Sequence, residues 1–228
     1  HQNAIEALAE TLQMVATGNR PKNRPSGVFL FLGPSGVGKT YLTELYAKYF
    51  DIPYKTYAMN QFKDSASVNN LLGAWKGYKG FDKGGGSLTK WIQDNPESVI
   101  NFDEVEKGHT DVTEILLRLM DSGKLEDNSN NEADFRNGHI FMTSNFGLPL
   151  IDAFDKKVLG IEDPNELEQT NFSGLGAIPK TEEALKRRLV DLMIERQAFG
   201  EYTQAFLGRV DHVIIFHHFN EKEQKKIA

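Results

Sequence analysis

The apolar run Val28-Phe29-Leu30-Phe31-Leu32 passes directly into Gly33-Pro34-Ser35-Gly36-Val37-Gly38-Lys39-Thr40, and the residues from Lys39 to Phe50 then read as a helix. Few sequence features restrict a fold as tightly. An uninterrupted apolar strand belongs inside a parallel sheet that is covered on both faces. Glycines at the spacing G-x-x-x-x-G-K-[ST], set between that strand and a helix, free the backbone to turn its N–H groups toward phosphate oxygens. The helix N-terminus adds a positive potential that favours an anion. Gly33, Pro34, Ser35, Gly36, Val37, Gly38, Lys39 and Thr40 are therefore candidate nucleotide-binding residues. Lys39 is suited to the β- and γ-phosphates, and the Thr40 hydroxyl to a magnesium ion.

Strands and helices alternate around this element. Tyr54–Met59, Ser98–Phe102, Ile140–Thr143 and Val213–Phe216 are further strand candidates. Ile5, Leu8, Leu12 and Val15 recur at helical spacing, which predicts an amphipathic helix over 3–17. Asp111–Asp121 carries Ile115, Leu116 and Leu119 in the same manner. Thr181 is a candidate helix cap, with Glu182 and Glu183 in the first turn and Leu185, Leu189, Leu192 and Met193 on one face. The alternation predicts an α/β domain with a central, mostly parallel sheet flanked by helices. Residues 155–180, with scattered Gly, Pro and Asn, read as an inserted loop.

A second motif lies downstream. Ser98-Val99-Ile100-Asn101-Phe102-Asp103-Glu104 is an apolar strand that ends in two adjacent carboxylates. At a strand tip beside a phosphate loop, Asp103 is placed to hold magnesium and Glu104 to polarise an attacking water. Asn101, in mid-strand, needs a partner if it is buried.

Composition narrows the class. The chain has 228 residues, 39% apolar and 25% charged, which suits one large globular domain. No stretch approaches the roughly 18 uncharged apolar residues of a membrane span, and no signal peptide is visible. A soluble intracellular protein of the cytoplasm or an organelle matrix, without membrane association, is the expectation. The absence of cysteine excludes disulfides and thiolate zinc sites. His212, His217 and His218 are close in sequence, but no ligand spacing around them supports a zinc site. The net charge of −6 argues against general nucleic-acid binding. The chain opens with His1 inside a helical pattern and reads as part of a longer protein.

Taken together, the residues resemble the large AAA+ subdomain of the Clp-type unfoldases and disaggregases over Gly27–Gly147. Val28–Thr40 resembles F-L-F-L-G-P-(T/S)-G-V-G-K-T, and Leu72–Leu88 resembles I-G-x-P-P-G-Y-V-G-(Y/F)-x-x-G-G-x-L. Val99–Val112 resembles V-x-L-x-D-E-(I/V)-E-K-A-H-x-D-V, and the likeness runs on to Met142-Thr143-Ser144-Asn145. The resemblance implies a P-loop ATPase that binds ATP with Mg2+ and works in a homo-oligomeric, hexameric ring on protein substrates. It implies that Asn145 orients the attacking water. It also implies that Arg209, in Leu207-Gly208-Arg209-Val210-Asp211, reaches the ATP of a neighbouring subunit. Tyr78, within Gly77-Tyr78-Lys79-Gly80, matches the pore-loop aromatic that grips a translocating polypeptide, and Asp127–Asp134 matches the second pore loop in position. On the same grounds residues 1–216 form the large subdomain and 217–228 begin a small helical one.

Several positions depart from the family pattern. Trp75 and Lys76 replace two prolines, Lys79 replaces a small apolar residue, and Lys83 adds further positive charge. Ala58-Met59-Asn60-Gln61 stands in place of Asp-Met-Ser-Glu. These changes leave room for a nucleotide-regulated assembly scaffold with weak or no hydrolysis. A DNA-remodelling motor is a third reading, disfavoured by the acidic balance and by the Gly-Tyr-x-Gly loop.

Overall fold

The computed structural model describes residues 2–73, 85–158 and 177–218. Its centre is a sheet of five strands: β1 (Gly27–Leu32), β2 (Tyr54–Ala58), β3 (Val99–Asp103), β6 (His139–Ser144) and β8 (His212–Ile215). Their order is β2-β3-β6-β1-β8, and every pairing in it is parallel. A separate antiparallel pair joins β4 (Lys124–Glu126) to β5 (Glu132–Asp134). The order places β6 between β1 and β3, so the carboxyl ends of these three strands open side by side. In sheets of this kind ligands bind at that edge.

The wholly apolar β1 is explained by the two layers that cover it. All six of its residues are buried. Val28, Leu30 and Leu32 face one cluster, which includes Ile115, Leu116 and Leu119 of α5 (Thr110–Ser122) and Leu185, Leu189 and Leu192 of α7 (Glu182–Glu195). Phe29 and Phe31 face the other, beneath Ala4 and Leu8 of α1 (Gln2–Ala16) and Tyr46 and Ala47 of α2 (Lys39–Tyr49). Phe29 stacks on Phe141 of β6 at a centroid distance of 4.7 Å. Full burial of each such side chain is worth roughly 2 kcal/mol.

Helix ends follow local chemistry. Thr181 caps α7, its hydroxyl accepting from the Ala184 amide at 3.2 Å. The Gly123 amide donates to the Leu119 carbonyl at the end of α5, where the glycine takes a left-handed conformation. The predicted face of α1 needs correction. Ile5 is 56% exposed, whereas Ala4, Leu8 and Thr11 are buried. Small side chains let this helix approach the sheet closely, and the Thr11 hydroxyl bonds the His212 ring at 3.0 Å.

Four further α-helices lie among the described residues: α3 (Ser65–Leu72), α4 (Ser87–Asp94), α6 (Leu148–Val158) and α8 (Thr203–Leu207), the last preceded by the short strand β7 (Ala198–Glu201). Asp155–Val158, at the start of the expected insertion, belongs to α6; residues 159–176 lie outside the described part. No helix among the described residues is long and apolar enough to cross a membrane.

Candidate functional site

The loop after β1 is shaped by close approach and by backbone conformation. At Gly33 a Cβ would stand 2.3 Å from the Phe216 carbonyl oxygen, so no side chain fits. Gly38 caps α2 with φ 94 and ψ 16, a conformation that L side chains rarely adopt. Between them the chain curls back on the next residue. Lys39 is buried, and its Nζ donates to the Gly33 carbonyl at 2.6 Å, the Pro34 carbonyl at 2.7 Å and Asn145 Oδ1 at 3.1 Å. Burial pushes the ammonium below the usual lysine range, while the carboxylates of Asp103, Glu106 and Glu104 act in the opposite sense.

The acidic side of the site comes from β3. Asp103 Oδ1 accepts from the Thr143 hydroxyl at 2.6 Å and the Thr40 hydroxyl at 3.2 Å. Glu104 follows in a left-handed conformation, φ 54 and ψ 55, which costs a non-glycine residue about 1 kcal/mol. Its amide is held by Thr143 Oγ1 at 3.0 Å. Its Oε1 accepts from Asn145 Nδ2 at 3.0 Å and Lys107 Nζ at 2.7 Å. Asn145 is anchored in turn, its amide donating to Glu106 Oε1 at 3.1 Å. Non-glycine backbone in this region persists only where its surroundings enforce it, and such positions cluster at functional sites.

These groups line one open cleft of about 390 Å³, with Lys39 and Thr40 on the β1 side, Asp103 and Glu104 at the end of β3, and Thr143 and Asn145 at the end of β6. The hydrogen bond from the Thr40 hydroxyl to Asp103 Oδ1, at 3.2 Å, brings the hard oxygen donors of the two residues side by side. Such a pair suits Mg2+, which takes one or two protein oxygens and fills its other positions with water and phosphate. A carboxylate beside a metal site, steadied by an amide and an ammonium, can take a proton from water.

The candidate residues are not all gathered here. Arg209 is held outside the cleft: its Nε and Nη2 fork on Asp121 at 2.7 and 2.9 Å, and its Nη1 donates to the Ala205 carbonyl at 2.9 Å. Gly77, Tyr78, Lys79 and Gly80 lie outside the described residues. In the loop between β4 and β5, Asp127 accepts from the Ser129 and Asn131 amides, each at 2.8 Å. His217 and His218 follow β8 and bond Asp155 and Asp152 of α6. No group of three side chains able to hold a transition metal is found among the described residues.

Three contributors escape a reading of the motifs: Thr143, Glu106 and Lys107. Thr143 sits inside the Met142-Thr143-Ser144-Asn145 stretch, and the other two directly follow the Asp103-Glu104 pair. Only the register between β3 and β6 shows what Thr143 touches.

The AAA domain family, Cdc48 subfamily, matches residues 24–213. The chain is similar to the ATP-dependent Clp protease ATP-binding subunit ClpC of Staphylococcus saprophyticus, with 35% identity over 232 residues, 100% of this chain and 26% of that protein. It is 35% identical to the same subunit of Staphylococcus epidermidis over 229 residues, 99% of this chain and 26% of that one. For Staphylococcus aureus the identity is 34% over 232 residues, again 100% and 26%. The chain thus spans about a quarter of the length of the curated relatives it matches.

Proposed function

The chain belongs to the AAA domain family as a nucleotide-binding ATPase module of the Clp type, and on that premise we propose that it powers the unfolding, disaggregation or remodelling of proteins. The observation that carries the proposal is the convergence of Lys39, Thr40, Asp103, Glu104 and Asn145 on one cleft at the ends of three neighbouring strands.

In this reading the loop Gly33–Thr40 cradles the phosphates of ATP and Lys39 leaves its carbonyl partners for the β- and γ-phosphates. Thr40 and Asp103 hold Mg2+, which when bound offsets charge developing on the phosphate oxygens. Glu104 takes a proton from the attacking water, and Asn145, already bonded to Glu104, fixes where that water stands. Arg209 exchanges Asp121 for the γ-phosphate of a neighbouring subunit, where its planar fork matches the transferring group. That role requires a homo-oligomer, and a hexameric ring is the form proposed. Protein is threaded past Tyr78, whose ring can pack on almost any side chain; nucleic acid and membrane are not substrates. Residues 1–216 act as the large subdomain and 217–228 lead into a small helical one.

The ATP-dependent naming of the similar ClpC subunits supports hydrolysis over a passive scaffold. The test is ATP turnover by the full-length protein, wild type beside Tyr78→Ala, with and without an unfolded protein. Threading requires that wild type hydrolyses ATP and unfolds the substrate while Tyr78→Ala only hydrolyses. Unfolding by Tyr78→Ala at the wild-type rate would remove Tyr78 from the mechanism. Binding of ATP by wild type without turnover would favour the scaffold.

A further inference from the structure

Parallel pairing between β3 and β6 runs from Val99–His139 to Phe102–Met142 and stops there. One step beyond, side chains take over. The Glu104 amide donates to the Thr143 hydroxyl at 3.0 Å, and that hydroxyl donates its own proton to Asp103 Oδ1 at 2.6 Å. A hydroxyl carries one proton and two lone pairs, so donation to the carboxylate leaves it free to accept from the amide. Thr143 is 1% exposed and lies in a fully buried strand, and β-branching stiffens it further.

We propose that Thr143 is a positioning residue whose single hydroxyl fixes the Asp103 carboxylate and the left-handed Glu104 backbone together, setting the cation-binding oxygen and the base from one atom. The proposal rests on the hydrolytic reading of Asp103 and Glu104. Both hydroxyls that reach Asp103 converge on Oδ1, and among the described residues Oδ2 takes no hydrogen bond. Thr143 therefore decides which carboxylate oxygen faces the cleft. The other restraint, Thr40, stands on α2 and belongs to the phosphate loop, so it cannot report the position of β3 relative to β6. At Glu104 the same hydroxyl stands where a ladder carbonyl would in a continuing sheet, and it holds an amide whose backbone has turned out of strand geometry.

Loss of a partner that orients a metal-binding side chain commonly lowers metal affinity or turnover by about 10–100-fold. The experiment compares full-length wild type, Thr143→Val and Thr143→Ser. Valine keeps shape and burial without the hydroxyl, and serine keeps the hydroxyl without the methyl. Binding of a fluorescent ATP analogue is measured in EDTA and across a Mg2+ titration, and kcat and KM for ATP are measured separately. Thr143→Val is expected to bind the analogue in EDTA as wild type does. Its Mg2+ midpoint should rise, and its kcat fall, by about 10–100-fold, with a smaller change in KM. Thr143→Ser should stay close to wild type in every readout. The proposal is overturned if Thr143→Val keeps the wild-type Mg2+ midpoint and kcat, or if Thr143→Ser is as impaired as Thr143→Val. It is equally overturned if Thr143→Val loses affinity in EDTA, because the hydroxyl then maintains the cleft as a whole. The parent reading fails by a different result, the absence of ATP turnover by wild type itself.

Discussion

Asp103 and Asn101 stand two residues apart on one strand, and their surroundings treat them in opposite ways. Asp103, at the rim, receives two hydroxyl protons and sits beside a buried ammonium. Asn101, in the interior, is fully buried with neither side-chain oxygen nor nitrogen hydrogen-bonded. Both place a polar group where apolar surroundings make it expensive. At the rim the cost is offset by partners drawn from the start of α2 and the end of β6, which are the groups proposed to act on a nucleotide. In the interior no partner offsets it. Polar side chains at the rim should therefore govern activity with little effect on stability, and those inside the sheet should do the reverse.

The largest effect expected from this contrast is at Lys39. Lys39→Ala should weaken nucleotide binding by roughly 30-fold to several thousand-fold, the range for losing one side of a buried charge contact. Thermal stability should be unchanged or slightly raised, since a desolvated ammonium is removed; isothermal titration and a melting scan on the same samples measure both. A large fall in Tm would merge the two regions and break the contrast.

The pH dependence of stability probes the sheet interior. Burial, with the Arg20 guanidinium adding to it, pushes the His139 imidazole down to about 4 from its ordinary 6.5. The unfolded chain then binds this proton more readily than the folded one, so the neutral ring's contribution is complete above pH 6.5. It declines as the pH falls toward 4, by up to roughly 3 kcal/mol. Denaturant melts between pH 7 and 4 should show this slope, and His139→Gln should flatten it while leaving nucleotide affinity at pH 7 intact. An unchanged slope in the variant would assign the acid sensitivity to other groups.

The smallest effect is at Asn101 itself. Asn101→Leu removes two unpartnered polar atoms while keeping the same heavy-atom branching and should stabilise the domain by about 1–2 kcal/mol, visible as a rise of a few degrees in Tm, with kcat unchanged. A fall in kcat would show that the buried amide serves the site two residues away.

Much of this arrangement was legible in the residues. Each of the five strands of the main sheet coincides, to within one or two residues, with a strand candidate in the sequence. For the central strands β1, β3 and β6 the signal is an apolar run, because a strand buried on both faces has few polar positions to spare, whereas the edge strand β2 leaves Lys55 and Thr56 exposed. The phosphate loop and the Asp103-Glu104 pair were equally plain, since their chemistry demands fixed residue types at fixed spacing. The short elements were not. Ser65–Leu72 is an eight-residue helix with two asparagines and only Val68 and Leu71 buried, and β4 and β5 have three residues each. Periods that brief do not rise above chance. The face of α1 was misassigned because it approaches the sheet through Ala4 and Thr11 and leaves Ile5 outside. Thr143 was hidden for another reason: its partners are 39 and 40 positions away and meet it only through strand register.

The most direct test of a hydrolytic cleft built from three strand ends is Glu104→Gln in the full-length protein, read by ATP binding and single-turnover hydrolysis together. Glutamine keeps the size of the side chain and an oxygen for Asn145 while removing the base. The expected result is binding at the wild-type level with hydrolysis slowed by about 10²–10⁴-fold, as for loss of a general base. Hydrolysis at the wild-type rate would contradict it and remove Glu104 from the reaction.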